Sequence, residues 1–292
     1  MGQLWIVPTP IGNLEDITIR ALRVLNEVDV ILAEDTRHTR KLCAAHGIKT
    51  PLCALHAHSD ERTVARYVER LVQGENLALV SDAGTPMISD PGAALVQAAT
   101  RADVPVHALP GASAVTTALS VSGVPFDAFR FIGFLPRTGA RRKRALEVLA
   151  DAPEPTVLFE APRRLHGTLL DLIAVAGPDR GVAVCRELTK AHEEVVRGPA
   201  QQVAAHFAEG VLGEVTVVVE RCPSVDESPN EEGLEAIIVQ RLASGESARD
   251  IARKLAGQFS LPRRRLYQQV LEVAGRPSSE LPAGGRGDVE RE

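Results

Sequence analysis

The chain has 292 residues, of which 45% are hydrophobic, 24% are charged and 3% are aromatic, and its formal net charge is −5 at pH 7. This length suffices for two domains with sizeable cores, and no apolar run approaches the roughly 18 residues that predict a membrane-spanning helix. The negative charge excludes a general electrostatic attraction to nucleic acid, so any such contact must come from local basic patches.

The first part of the chain alternates apolar, β-branched runs with segments of helical spacing. Strands are predicted at Leu4–Val7, Val28–Ala33, Leu77–Val80 and Val104–Leu109. Helices are predicted at Asp16–Asn26, Arg37–Ala45, Glu61–Val72 and Gly92–Arg101. Such alternation favours right-handed βαβ units and a largely parallel sheet, which we assign to an N-terminal α/β lobe over residues 1–120.

Beyond Ser122–Pro125 the strands become shorter and more alternating. They are predicted at Phe129–Leu135, Thr156–Phe159, Val182–Arg186, Glu194–Arg197 and Glu214–Glu220, with helices at about 139–150 and 163–175. This pattern predicts a second α/β lobe with a mixed sheet over residues 121–222.

The remainder of the chain changes character at an acidic, proline-containing stretch, which predicts a linker over residues 223–232. Three short helices follow in a domain over residues 233–275, with Ser247 and Ser260 as N-caps and Pro262 in a first turn. The Gly-, Pro- and charge-rich segment 276–292 predicts a disordered tail.

The cysteines and the first residues indicate the compartment. Cys43, Cys53, Cys185 and Cys222 are scattered without a C-x-x-C pair, as is usual in a reducing environment. The opening MGQLWIVPTPIGN lacks the basic region and apolar core of a secretory signal. We therefore expect a cytoplasmic protein without a membrane segment. The histidines have no ligand spacing, so no metal is predicted.

Three loops at the carboxyl ends of predicted parallel strands are rich in Gly and Pro. They read VPTPIGN (7–13), SDAGTPMISDPG (81–92) and LPGASAV (109–115), and none matches a dinucleotide or P-loop fingerprint. Asp82 and Thr85 offer oxygens, Met87 and Ile88 offer an apolar wall, and Arg101 is the only basic residue between 80 and 120. A compact cationic molecule such as S-adenosylmethionine suits these loops, although ordinary tight connections would look the same.

Charged residues follow other strands. AEDTRHTRKL (33–42) holds Glu34 and Arg37, and the segments LFEAPRRL and CRELTKAHEEVVRG hold Glu160, Arg163 and Lys190. These positions favour a polar substrate site, with helix capping or salt-bridged loop ends as the alternative. A basic run could grip phosphate or simply be a solvated helix start; it contains Arg137, Arg141, Arg142, Lys143 and Arg144.

Seven motifs in one order give the chain a family resemblance over about residues 3–222. They are VPTPIGNLEDITIRAL, AEDTRHTRKLC, SDAGTPMISDPG, PGASA, FIGFLPR, EAPRR and CRELTKAHEE. Together they resemble the tetrapyrrole methylase superfamily, and within it the bacterial enzymes that methylate cytidine 2′-hydroxyls of ribosomal RNA. The resemblance implies a two-lobed α/β fold of class III methyltransferases with a small C-terminal helical domain. It also implies S-adenosylmethionine between the lobes, a homodimer, and a cytidine in the decoding region of 16S rRNA in the small ribosomal subunit.

The resemblance also assigns residues. It implies a cofactor site at Pro10, Ile11, Asp82, Gly84, Thr85, Met87, Ile88, Ser113, Ala114 and Ala161, with the Leu212–Val215 turn on the adenine side. The superfamily often has Gly-Asp-Pro where this chain has Gly84-Thr85-Pro86. A ribose hydroxyl is a weak acid, so its methylation needs a nearby group that accepts the proton. The candidates are Glu160, Glu34 and Lys190. The expected RNA-binding residues are Arg37, Arg137, Arg141, Arg142, Lys143, Arg144 and Arg163.

Two other functions fit parts of the sequence. One is a methylase of the same superfamily that acts on a small substrate such as a tetrapyrrole macrocycle, for which a basic run and a helical C-terminal domain would be unnecessary. The other is a non-enzymatic nucleic-acid-binding protein that uses the C-terminal helices, whose spacing resembles a helix-turn-helix. Polar residues crowded at several strand ends argue against the second.

Overall fold

Residues 1–56, 60–222, 231–259 and 263–275 are described by a computed structural model of the chain. The chain divides into two units, one comprising residues 1–221 and the other residues 222–292. The first unit contains two five-stranded sheets, each with its own hydrophobic core. No helix within the described ranges is long and apolar enough to cross a membrane.

The first sheet is entirely parallel, in the order β3-β2-β4-β1-β5. Its strands are β1 (Leu4–Ile6), β2 (Val30–Ala33), β3 (Leu52–Ala54), β4 (Leu77–Leu79) and β5 (Val106–Ala108). The prediction missed β3, a partly exposed edge strand of three residues whose sequence, LCA, is too short to show alternation. The three central strands are apolar because helices cover both faces of a parallel sheet.

The α-helices of this lobe are α1 (Ile19–Glu27), α2 (Thr36–Ala45), α3 (Glu61–Val72), α4 (Ala93–Arg101) and α5 (Ala114–Ser122). Three of these five, α1, α2 and α3, begin at side-chain caps. Thr18 Oγ1 accepts a hydrogen bond from the backbone N–H of Ala21, and the Asp35 carboxylate accepts one from Arg37. The prediction missed α5, because AVTTALSVS is rich in β-branched residues and contains no charged residue.

The second sheet is mixed, in the order β6-β7-β10-β8-β9. Its strands are β6 (Arg130–Phe134), β7 (Thr156–Glu160), β8 (Gly181–Arg186), β9 (Glu194–Pro199) and β10 (Val215–Val219), and only β6 and β7 run parallel. Three helices cover one face: α6 (Gly139–Ala150), α7 (Leu165–Ala176) and α8 (Ala200–His206), the last of which was not predicted. Helix α5 covers the other face and so ties the two lobes together.

The second unit contains α9 (Glu231–Ala243), α10 (Ala248–Phe259) and α11 (Arg263–Ala274) around a small apolar core. Ser247 Oγ accepts a hydrogen bond of 3.2 Å from the Asp250 N–H, which confirms Ser247 as the N-cap of α10. Ser260, Pro262, most of the predicted linker (223–230) and the predicted tail (276–292) lie outside the described residues.

Candidate functional site

A cavity of about 340 Å³ lies where the two lobes meet. The loops that follow β1, β4 and β5 line it from the first lobe, and the residues that follow β6 and β7 and precede β10 line it from the second. No Lys or Arg is among the lining residues, all of which belong to the described part of the chain. The carboxyl edge of a parallel sheet is the usual place for a ligand in this class of fold.

Backbone hydrogen bonds lock the three loops of the first lobe together. Thr9 and Gly84 exchange two N–H to carbonyl bonds, each of 2.9 Å, and Thr85 Oγ1 donates to the Ala112 carbonyl at 3.1 Å. Gly84 has φ +75°, where a side chain would be strained, and an added Cβ would lie 3.4 Å from Ile11 Cγ2. The cavity wall is therefore preformed, with backbone close to any ligand.

The loop after β4 also carries backbone strain. Met87 and Ser89 have φ of 71° and 70°, a region that residues with side chains rarely adopt. Strain of this kind persists only where surrounding contacts enforce it, and it is frequent at functional sites. Asp90 follows directly and lines the cavity.

Asp90 is the titratable residue that sequence reasoning missed. Its carboxyl group is partly buried, and burial raises its pKa from 3.8 to about 6, with the nearby carboxylates of Glu34 and Asp82 acting in the same direction. Within the described residues, no Lys or Arg forms an ion pair with it. The sequence placed Asp90 inside the SDPG motif, but it gave no sign of burial or of the facing carboxylates.

Glu160 lines the same cavity with a completely buried side chain. Its Oε2 accepts a hydrogen bond of 2.6 Å from Thr168 Oγ1, and its Oε1 accepts one of 2.8 Å from the Ala161 N–H. Arg164 Nε lies 3.3 Å from Oε1. Three protein donors thus occupy this carboxylate, which holds the turn after β7 in place.

Lys190 lies in a neighbouring cavity of about 310 Å³, which shares Ile11, Ala83 and Glu214 with the first. Its Nζ lies 2.7 Å from Glu187 Oε1 and 2.9 Å from Glu214 Oε2. Burial alone would lower the pKa of Lys190, but the hydrogen bonds to these two carboxylates outweigh it and raise that pKa. Lys190 is therefore an ammonium ion that donates hydrogen bonds to Glu187 and Glu214.

Seven of the ten predicted cofactor residues line the 340 Å³ cavity: Ile11, Gly84, Thr85, Ile88, Ser113, Ala114 and Ala161. The other three do not. Pro10 and Asp82 line the neighbouring cavity, and Asp82 also accepts a hydrogen bond of 3.0 Å from the Asp35 N–H. Met87 turns into the core of the first lobe. The turn before β10 contributes Gly213 and Glu214 to the cavity.

The predicted RNA-binding residues differ in their surroundings. Arg37 is exposed and pairs with Asp35 at 3.0 Å, which holds the pKa of that carboxyl at about 2. Arg163 is also exposed. So are four residues of the basic run: Arg137, Arg141, Lys143 and Arg144.

Arg142 does not match its prediction as an RNA contact. Only 12% of its side chain is exposed, and the guanidinium donates to Asp171 at 2.7 Å, to Thr168 Oγ1 at 2.9 Å and to the Pro136 carbonyl at 3.2 Å. These contacts direct the guanidinium into the protein. The sequence could not separate Arg142 from its neighbours because all of them belong to one charged helix start.

The cavity suits a compact cationic ligand with a flat apolar part. Asp90 supplies an unpaired carboxylate, and Thr85 and Ser113 supply hydroxyl groups. Ile11, Ile88 and the ring of Phe159 supply apolar walls. In the absence of lining Lys and Arg, a ligand with a positive charge gains electrostatic stabilisation and one rich in phosphate does not.

Comparison with known proteins gives consistent matches. Residues 3–204 match the family of tetrapyrrole (corrin/porphyrin) methylases. The chain is 44% identical over 275 residues to ribosomal RNA small subunit methyltransferase I of Synechocystis sp., covering 94% of this chain and 99% of that relative. A relative of the same name from Thermotoga maritima is 48% identical over 220 residues, covering 75% of this chain and 98% of the relative.

A solved structure shares the fold. It is uroporphyrin-III C-methyltransferase from Thermus thermophilus complexed with S-adenyl homocysteine, with a TM-score of 0.53 and 19% sequence identity, covering 74% of this chain and 97% of that chain. At this identity the likeness establishes the architecture of the first unit and no residue role.

Proposed function

Because the chain belongs to the tetrapyrrole (corrin/porphyrin) methylase family, we propose that it methylates the ribose 2′-hydroxyl of a cytidine in the decoding region of 16S ribosomal RNA. The class III methyltransferase fold predicted from the sequence is confirmed. S-adenosylmethionine is the methyl donor, again as predicted. The proposal for the substrate depends chiefly on relatives named as ribosomal RNA small subunit methyltransferase I, one of which is 44% identical across 94% of the chain.

The 340 Å³ cavity fits this donor and is the proposed donor cavity. The donor carries a positive sulfonium, which a carboxylate-bearing wall without Lys or Arg favours. Gly84, Thr85, Ser113 and Ala114 would hold its polar groups through hydroxyls and backbone, and Ile11 and Ala161 would contact its base. When bound, the donor supplies an activated methyl group whose transfer leaves a neutral thioether.

The chain's own residues must align the hydroxyl and accept its proton. We propose Asp90 as the acceptor, because it lines the cavity, forms no ion pair with any described Lys or Arg, and has a pKa of about 6, near neutral pH. Glu34, another predicted acceptor, contributes by raising that pKa. Glu160 is engaged by three donors and Lys190 is protonated, so both are better suited to positioning.

The basic run supplies the surface for the RNA. Arg137, Arg141, Lys143 and Arg144 are exposed at the start of α6, where they can bind phosphate groups. We propose the small ribosomal subunit in the cytoplasm as the partner. A homodimer, which the family resemblance implies, stays a prediction that light scattering of the purified chain tests.

One experiment tests the function. The purified chain is incubated with small subunits from cells that lack the enzyme and with S-adenosylmethionine labelled on the methyl group, and the modified nucleotide is mapped. We expect label on one cytidine ribose and none in a Gly84→Val variant, whose side chain would be strained at φ +75°. Label on a base or on another ribose would correct the site.

The same assay separates the two alternatives. A small-substrate methylase would label no RNA but would label a tetrapyrrole added in its place. A non-enzymatic RNA-binding protein would label neither, although it would still bind the subunit.

A further inference from the structure

We propose that a groove beside the donor cavity binds the nucleotide to be methylated, with its base stacked on Phe134 and its neighbouring phosphates bound by Arg137 and Arg163. The inference rests on the proposed function, because it takes the substrate to be RNA. The groove has a volume of about 720 Å³ and is formed by residues 134–137 after β6 and residues 161–164 after β7.

Phe134 provides a stacking surface. It ends β6 with 55% of its surface exposed, although the chain is only 3% aromatic. Its ring centroid lies 5.6 Å from that of Phe159, which lines the donor cavity. This contact with Phe159 orients the exposed ring of Phe134. Proteins that select single-stranded RNA commonly stack splayed bases on such rings.

One arginine of the groove is bound to the protein, and two others are available to a ligand. Arg164 donates to the carbonyls of Leu135 at 2.9 Å and Pro136 at 3.3 Å, and its charge is balanced by Glu160. Arg137 and Arg163 are exposed, and neither forms an ion pair within the described residues. A half-exposed aromatic ring that shares a groove with two cations, neither in an ion pair among the described residues, is complementary to a base flanked by phosphates.

The groove opens into the donor cavity. Phe134, Ala161 and Pro162 line both, so a nucleotide in the groove brings its ribose to the cavity mouth. The cations are confined to the groove and the unpaired carboxylate of Asp90 to the cavity. This separation directs an anionic RNA to one side of the junction and a cationic donor to the other.

The first test concerns Phe134 and uses the full chain with small ribosomal subunits from cells that lack the enzyme. Phe134→Ala should raise the KM for the subunit about tenfold, which is the loss expected for one stacked base. Phe134→Tyr, which keeps the ring, should restore it. Because Phe134 also lines the donor cavity, calorimetry with S-adenosylmethionine is the control, and the donor affinity should change less than the KM.

The second test concerns the two arginines. Arg137→Glu and Arg163→Glu should weaken subunit binding, and each should lower the slope of log affinity against log salt by about one. Arg62→Glu on α3 is a matched reversal of an exposed charge outside the groove and should change neither quantity. If the groove variants keep the wild-type KM and salt slope while the wild type methylates the subunit, the groove does not bind the nucleotide, and the proposed function still stands. Absence of methylation by the wild type would overturn both.

Discussion

The backbone N–H of Asn13 donates a hydrogen bond of 3.1 Å to Thr189 Oγ1, which joins the first loop of one lobe to the loop after β8 in the other. Next to it, Gly12 packs so closely that an added Cβ would lie 2.9 Å from the Leu188 carbonyl oxygen and 2.4 Å from Lys190 Cγ. The lining of the neighbouring cavity, to which Gly12 and Lys190 contribute, thus depends on residues from both lobes meeting without a side chain between them.

Gly12→Ala should therefore separate these loops. We expect a free energy of unfolding lower by about 1–3 kcal/mol and weaker donor binding, because the clash with the Leu188 carbonyl oxygen requires the loops to move. Thermal melts and calorimetry with S-adenosylmethionine measure the two effects. Gly167→Ala in α7 is the control, since nothing lies within 4 Å of the added Cβ. Equal melting temperatures for both variants would contradict the prediction.

Asp90→Asn should slow methyl transfer by about 10²–10⁴-fold, the usual contribution of a positioned base. The wild-type rate should rise with pH through about 6 as the Asp90 carboxyl loses its proton, and the variant should lose that dependence. Single-turnover rates on small subunits at several pH values measure this. Asp127→Asn, at an exposed position that lines neither cavity, is the matched control. A full rate in the Asp90 variant would assign the proton to another group.

The same substitution should stabilise the fold at neutral pH. The Asp90 carboxyl keeps its proton up to about pH 6 in the folded chain, whereas an ordinary aspartate loses it near 3.8, so ionisation costs stability as pH rises through this window. Asp90→Asn removes that cost, which we place at about 1–2 kcal/mol after solvent screening, or roughly 3–6 °C in Tm. The gain should be present at pH 8 and absent at pH 4. A lower melting temperature at pH 8 would refute it.

Glu160→Gln distinguishes positioning from proton transfer at Glu160. Loss of the negative charge opposite Arg164 should lower the free energy of unfolding by about 2–4 kcal/mol, because the side chain is fully buried. At temperatures where the variant is folded, the single-turnover rate should fall by less than about tenfold. A loss of a hundredfold with intact donor binding would instead identify Glu160 as the acceptor.

Charge reversal at two adjacent arginines should have opposite consequences. Arg142→Glu should lower stability by about 1–3 kcal/mol, since it breaks the contacts to Asp171 and Thr168. Arg141→Glu should leave the melting temperature unchanged but weaken subunit binding and reduce its salt slope by about one. Thermal melts and filter binding at several salt concentrations separate the two effects. A salt slope that changes only in the Arg142 variant would reverse the assignment.

The sequence predicted most of the architecture because strand and helix periodicity survives in isolated segments. The Gly- and Pro-rich turns likewise indicated which loops form the cavity. Gly84 of the SDAGTP motif has a positive φ, and it lies beside Ile11 of the first loop. What the sequence could not supply is pairing between distant residues. The partner of Arg142 lies 29 residues away at Asp171, and the carboxylate of Glu34 that raises the pKa of Asp90 is still more remote from it in sequence.

A continuous polar relay links helix α6 to the donor cavity. Arg142 donates to Thr168 Oγ1, which donates to Glu160, which in turn accepts from the backbone of Ala161 at the cavity wall. Hydrogen bonds therefore connect the helix that carries the proposed RNA-binding residues to the wall of the proposed donor cavity. A redesign of α6 that changes RNA specificity must therefore keep Arg142. Without its hydrogen bond to Thr168, the turn that forms the cavity wall would lose part of its support.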